Sequence, residues 1–343
     1  MSDIGAILKK YIPAIEQEIQ TALAEAPDFL GGVIRYHFGW VDENFNPSRT
    51  ESGKMLRPAI CLLVFEALSG GYRPALPAAA AIEMIHNFTL LHDDIEDNDR
   101  ERRGRPTAWA LWGKPLAINT GDYLYTLAFK TLFRLSPADF PAERLLAVHR
   151  LVADSCLALT VGQDLDLRFE GLQQVTPDMY IDMVYKKTGA LLEASVLSGA
   201  ILGTDNTQII ENYRQFARNI GIAFQIRDDM LGIWGDSAKT GKSADNDLRR
   251  KKKTLPVLYT LAQTTGSRGE QLRTLYATDQ PLTDDQITFV RDSLELAGAR
   301  GYTQQAADSY IDRAFTGLQQ INLPGQPHAD LETIARFLID RSH

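Results

Sequence analysis

Asp93, Asp94 and Asp97 close an apolar run, Ile82 to Leu91, within the stretch Leu91-His92-Asp93-Asp94-Ile95-Glu96-Asp97. At 3.6 residues per turn, Asp93 and Asp97 project from one helix face, a turn apart. Two carboxylates so spaced can hold a hard divalent cation through oxygen, and that cation can bind phosphate oxygens in turn. Arg102 and Arg103 follow five and six residues after Asp97 and supply forked donors suited to the same phosphates. The chemistry suggested is Mg2+-assisted handling of a diphosphate. Taken alone, such a cluster is more often a solvated helix end with ordinary ion pairs.

A second cluster far along the chain changes that balance. Gln225-Ile226-Arg227-Asp228-Asp229 also ends an apolar helical pattern with adjacent aspartates. A flexible-looking stretch, Ser237 to Asp247, contains Gly241-Lys242 and leads into Arg249, Arg250, Lys251, Lys252 and Lys253. By themselves these cations are a solvated face; beside an acidic metal site they read as counter-charge for a diphosphate. Lys54 and Arg57, three residues apart ahead of an apolar helix, can face one anion or can be a surface pair. Gln163 and Asp166 share a face with the apolar stripe of their own helix, which suggests a lined cavity. Lys187 and Thr188 interrupt the next long helix, where a lysine can also simply snorkel to solvent.

The elements that must position these groups are helices. Ile4, Leu8, Tyr11, Ile12, Ile15 and Ile19 recur at three- and four-residue intervals. The same rhythm predicts helices over roughly 55–69, 75–96, 107–133, 141–171, 177–203, 207–234 and 248–264, with shorter ones near 282–297, 301–318 and 329–341. Thr176-Pro177 places a capping hydroxyl before a proline at the first helical position, and Ser136-Pro137 resembles it. Strand-like alternation is almost absent, and no repeat or linker divides the chain. One all-α domain over 1–343 is the economical reading.

Composition narrows the function further. The 343 residues are 44% apolar and 23% charged, with a formal net charge of -8. That balance suits a large buried core and argues against a general nucleic-acid binder. Cys61 and Cys156 lie in apolar helical patterns and read as reduced core residues. No apolar run approaches the roughly 18 residues of a membrane span, and the N-terminus lacks signal-peptide features. The expected compartment is the cytoplasm.

With these motifs in order, the sequence resembles the trans-isoprenyl diphosphate synthase (polyprenyl synthetase) family, of the geranylgeranyl and farnesyl diphosphate synthase type. The resemblance runs from about residue 50 to 260. It rests on Gly53-Lys54-Met55-Leu56-Arg57-Pro58, on His92-Asp93-Asp94-Ile95-Glu96-Asp97 through Arg102-Arg103-Gly104-Arg105-Pro106-Thr107, on Gly162-Gln163, on Lys187-Thr188 and on Gln225 to Asp229. It implies a single-domain isoprenoid synthase-type helical bundle, its two aspartate-rich helices facing across a deep central cavity, within a homodimer. Carried over residue by residue, Asp93, Asp97 and Asp228 ligate Mg2+, three ions in all, with Asp94 and Asp229 in support. Arg102, Lys187 and Lys252 hold the allylic diphosphate; Lys54, Arg57, His86 and Arg103 hold isopentenyl diphosphate without metal. Thr188, Gln225 and Asp166 line the reacting centre.

The resemblance also implies a product. Five residues of helix rise about 7.5 Å, so residues just upstream of the first motif lie below the diphosphate site. Phe88 at the fifth position upstream with Thr89 at the fourth looks like the family's C20 pattern, geranylgeranyl diphosphate. Farnesyl diphosphate or a longer product is the alternative, because Phe88 could merely pack in the core while Ile85 or a facing helix sets the floor.

Gly232 departs from the pattern, since many members carry aspartate there; Asp236, two turns beyond Asp228, is a candidate substitute. A class I terpene cyclase would need serine or threonine at 232 and glutamate at 236, and has no use for Lys54, Arg57 and Arg103. A non-catalytic partner subunit would tend to lose an aspartate motif, whereas both pairs are present.

Overall fold

In a computed structural model, the described residues are 4–50, 53–172, 174–235, 246–278, 280–321, 323 and 325–339. Asp236, Gly241, Lys242 and Arg341 lie outside them. The helices are α1 (Ile4–Ala22), α2 (Asp28–His37), α3 (Leu56–Ser69), α4 (Leu76–Glu96), α5 (Ala108–Trp112), α6 (Lys114–Leu132), α7 (Ala142–Gly171), α8 (Pro177–Val184), α9 (Ala190–Gly203) and α10 (Thr207–Trp234). They continue as α11 (Asn246–Arg249), α12 (Leu255–Gln263), α13 (Gly266–Ala277), α14 (Asp284–Leu296), α15 (Ala299–Gln319) and α16 (Gln326–Ile339). Among the described residues the only paired strands are β1 (Glu101–Arg102) and β2 (Arg105–Pro106). The all-α class expected from the periodicity is what the chain adopts.

Three expected boundaries move, each for a local reason. The helix read over 107–133 is cut at Gly113, whose φ of 85° no ordinary residue adopts easily, and α6 restarts with proline in its first turn. The pattern over 248–264 breaks between α11 and α12, where Lys251 has φ 56° and Thr254 precedes the proline of the new helix. The pattern over 177–203 stays helical but widens into a π turn at Tyr185–Gly189. Helices α2 and α13 are additions to the expected set: α2 is short but amphipathic, whereas α13 carries little periodic signal.

The chain forms two compact units, each assembled from separated stretches. The first comprises Met1–Ala153, Ala194–Ile210 and Leu323–Ile334. Its spine is α4, which packs chiefly on α6 and also on α3 and α1. Pro77 to Ile85 of α4 are all buried, so the apolar run ahead of the first aspartates is core. The second unit comprises Asp154–Glu193, Glu211–Asn322 and Ala335–His343. There α12 packs on α15, α14 and α8, and Ile226 of α10 joins Tyr180, Met183, Leu255 and Leu258 in one buried cluster. Cys61 and Cys156 are buried free thiols, as expected.

Helix α7 qualifies what the sequence suggested about membranes. By length and composition it is apolar enough to cross one. Arg150 and Asp154 interrupt its apolar residues. Val148, Val152 and Cys156 are buried in the protein. No other helix among the described residues passes that test.

Candidate active site

In the first unit, α4 runs straight into its aspartates. Asp97 caps the helix with right-handed geometry and donates its N–H to Asp93 O at 2.8 Å, so Asp93 and Asp97 keep the one-turn register. Four carboxylates (Asp93, Asp94, Glu96, Asp97) crowd this C-terminal end, and the last turn holds no basic residue. A helix C-terminus favours cations, so the sequence has placed charge there that an external cation would offset. Asp94 turns inward: it is 2% exposed and accepts a 2.7 Å hydrogen bond from Arg102 Nε. Burial pushes its carboxyl up to about 6 against the pull of Arg102.

Arg102 and Arg103 come from the hairpin β1–β2. Arg103 and Gly104 have φ of 53° and 69°, both left-handed, as a two-residue turn matching the strands' twist requires. A non-glycine residue in that conformation is strained, and such strain gathers at functional sites. The turn brings Arg103 against Gly53, where a β-carbon would lie 2.7 Å from Arg103 Nη2. Arg57 Nη1 lies 3.5 Å from His86 Nε2. Burial, then the fields of Arg57 and Arg103, hold the His86 imidazole well below its ordinary value, hence neutral. Glu83, one turn earlier on α4, is buried and accepts a 2.9 Å hydrogen bond from Asn87; burial raises it to about 7 while Arg57 and Arg103 pull it down. Lys54, Arg57, His86 and Arg103, the residues expected to hold isopentenyl diphosphate, all lie within the first unit.

Phe88 and Thr89 also belong to α4, but they behave differently. The Thr89 hydroxyl turns back to His86 O at 2.7 Å. Phe88 faces α6: its ring is 4.9 Å from Tyr125, and Tyr125 is 5.1 Å from Phe129. His92 completes the row at 4.8 Å from Phe88, in space that Gly121 leaves open.

In the second unit a cavity of about 130 Å³ is lined by Asp166, Phe169, Tyr180, Met183, Lys187, Thr188, Gln225, Asp229, Lys252 and Lys253, among others. The π turn holds Lys187 and Thr188 at its wall. Close approach on both sides fixes that turn: a β-carbon at Gly162 of α7 would collide with Lys187 N, and one at Gly221 of α10 would stand 2.8 Å from Gly189 Cα. Single π turns inside helices are frequent at functional sites. Lys187 is ion-paired with Asp166. Thr188 Oγ1 donates to Gln225 Oε1 at 2.9 Å, and Gln225 Nε2 donates to Asp229 Oδ1 at 2.8 Å. Tyr180 OH donates to the other oxygen of Asp229 at 2.6 Å. Burial raises Asp229 to about 7, with both hydrogen bonds opposing it. The candidate residues Asp166, Lys187, Thr188, Gln225 and Asp229 therefore line one cavity.

The three adjacent lysines separate by partner. Lys251 Nζ donates to Thr278 O at 2.6 Å and to its hydroxyl at 2.7 Å. Lys253, 7% exposed, caps the end of α7 by donating to Phe169 O at 2.7 Å, to Glu170 O and to Leu172 O. Lys252 reaches neither; it lines the cavity with its ammonium 3.8 Å from Asp247.

Among the described residues no three His, Cys, Asp or Glu side chains converge into a ready cage for an ion. Mg2+ keeps several waters and binds through one or two carboxylates plus substrate phosphates. The paired aspartates, with Asp94 and Asp229 each held by a neighbouring side chain, are a donor set of that kind.

The polyprenyl synthetase family profile matches residues 39–293. The chain belongs to the polyprenyl synthetase family. It is 36% identical to a (2E,6E)-farnesyl diphosphate synthase of Mycobacterium tuberculosis over 90% of this chain and 85% of that protein. It is also 36% identical to a geranylgeranyl diphosphate synthase of the same organism, over 92% and 86%. The crystal structure of a geranylgeranyl pyrophosphate synthetase from Pyrococcus horikoshii superposes with a TM-score of 0.87 at 33% identity, covering 98% of each chain. This polyprenyl synthetase family member is accordingly an enzyme, a trans-prenyltransferase of a family that generally uses Mg2+.

Sequence reasoning missed Tyr180, Glu83 and Gly221. Tyr180 reads as one more apolar-face residue of α8, and only its hydroxyl's partner marks it. Gly221 inside a helix was the available signal for a close approach.

Proposed function

We propose that the enzyme condenses isopentenyl diphosphate head-to-tail with an allylic diphosphate and releases mainly the C20 product, geranylgeranyl diphosphate. The observation that carries the product length is Phe88: it stands five residues before Asp93 and is backed by Tyr125, so a growing tail meets two aromatic rings. Asp93, Asp97 and Asp228 take Mg2+, three ions in all, with Asp94 and Asp229 as hydrogen-bonded supports. Bound Mg2+ would neutralise the departing diphosphate. Arg102, Lys187 and Lys252 hold that allylic diphosphate. Lys54, Arg57 and Arg103 hold isopentenyl diphosphate, and neutral His86 contributes a hydrogen bond rather than charge.

The residues then share the work of ionisation. The allylic C–O bond breaks, and cations around the leaving group stabilise the charge that develops on it. The isopentenyl double bond attacks the carbocation, and a proton is lost to the departing diphosphate. Thr188, Gln225 and Asp166 line this centre, and the apolar surroundings keep water from the cation. We place this activity in one all-α domain over 1–343, acting as a cytoplasmic homodimer. A C15 product is the second reading, favoured by the similarity to a farnesyl diphosphate synthase.

The test is incubation of the purified protein with Mg2+, labelled isopentenyl diphosphate and each of the C5, C10 and C15 allylic diphosphates. A mainly C20 product abolished by EDTA is expected. A C15 or longer product overturns the role of Phe88, and no condensation with any starter overturns synthase activity.

A further inference from the structure

Gly232 lies inside α10, one turn beyond Asp228, and the space over it is taken. A β-carbon there would collide with Oδ2 of Asp247 and stand 3.5 Å from its Cγ. Glycine in a helix interior weakens the helix relative to alanine, so its presence needs a reason. Asp247 supplies one. It stands on the short helix α11, and its other carboxylate oxygen is 3.8 Å from Lys252 Nζ. Its backbone carbonyl also accepts the Lys252 N–H at 3.0 Å. Asp247 is near enough to Asp229 to act on that carboxyl's charge.

The neighbouring lysines cannot take over from Lys252. Lys251 is held by Thr278 and Lys253 by the end of α7. A left-handed residue at Lys251, φ 56°, separates the two directions. We propose that Asp247 is a positioning residue: seated on Gly232, its carboxylate holds Lys252 at the cavity wall, and Gly232 is the socket it requires. The missing side chain at 232 is then not a lost function. The room it leaves is occupied by a carboxylate from elsewhere in the chain. A half-buried ion pair at 3.8 Å, still partly screened by solvent, contributes little to folding, so its effect falls on where the ammonium points.

This inference rests on the synthase reading, and the experiment separates the two. Gly232→Ala, Asp247→Asn, Lys252→Ala and the double variant Asp247→Asn/Lys252→Ala are compared with wild type. The readouts are steady-state kinetics, thermal melting, and calorimetry with inorganic diphosphate and Mg2+. Gly232→Ala and Asp247→Asn should each raise KM for the allylic diphosphate about tenfold or more. KM for isopentenyl diphosphate and the melting temperature should stay near wild type. The double variant should be no worse than Lys252→Ala, because residues acting through one group are not additive. Wild-type KM values in Gly232→Ala, or additive losses in the double variant, overturn the proposal. If wild type fails to condense yet Asp247→Asn weakens diphosphate binding, the socket stands and the synthase reading falls. Equal diphosphate binding by wild type and Asp247→Asn overturns the socket.

Discussion

The Tyr180 hydroxyl, buried in the second unit, donates a 2.6 Å hydrogen bond to Asp229, the second aspartate of its cluster. Gln225 donates to the opposite oxygen, so the Asp229 carboxylate is held at both ends. Tyr180→Phe removes one hold while keeping the ring in its cluster. Supports of this kind typically change metal affinity by about 10–100-fold when lost. The expected outcome is a rise of that order in the Mg2+ concentration needed for half-maximal activity, read by Mg2+ titration.

The lysine triplet gives a contrast within three residues. Lys253→Ala leaves carbonyls at the end of α7 without their ammonium cap and should cost about 2 kcal/mol, the range for a lost charged hydrogen bond. Lys252→Ala should leave unfolding unchanged and raise the KM for the allylic diphosphate. Urea melts and steady-state kinetics on both variants check this division. Equal loss of stability in the two would contradict it.

The Phe88 and Tyr125 rings, from α4 and α6, meet at 4.9 Å with their planes tilted by 46°. Phe88→Ala is expected to shift the product distribution beyond C20, and Tyr125→Ala to lengthen it further in the Phe88→Ala background. Thr89→Ala should change length little, because that hydroxyl is spent on His86 O. Chain-length analysis of the dephosphorylated products reads all three. An unchanged profile in the double variant would remove the aromatic floor.

Glu83 supplies a pH prediction with a definite sign. Its carboxyl is raised from an ordinary 4.5 to about 7 by burial. Between those values the folded state binds more protons than the unfolded state, so stability falls as pH rises through the window. Above the folded value the penalty is complete. Glu83→Gln removes the titration and should therefore raise the melting temperature at pH 8 more than at pH 5. A gain independent of pH would show that Glu83 is already ionised in the fold.

Much of the fold was legible because helices announce themselves locally. Apolar spacing located α4 and α10 nearly to the residue; α4 ends at its aspartates, whereas α10 carries Asp228 and Asp229 more than a turn before its end at Trp234. Local signals failed where backbone exceptions rule. Gly113 breaks α5 from α6, and the π turn at Lys187 needs the glycines of two neighbouring helices rather than any feature of its own stretch. Of the candidate site, residue types and order were legible, but partners were not. Nothing in Lys251-Lys252-Lys253 distinguishes three like charges until Thr278 and the end of α7 claim two of them.

The sequence by itself determined the helical class, the family and the inventory of carboxylates and cations, because these depend on spacing along one chain. Tertiary structure decided what holds Asp94 and Asp229, which lysine lines the cavity, and what fills the room at Gly232. Those outcomes are set by contacts such as Asp94–Arg102, Asp229–Tyr180 and Gly232–Asp247. Each joins residues that are far enough apart in sequence for no local periodicity to couple them.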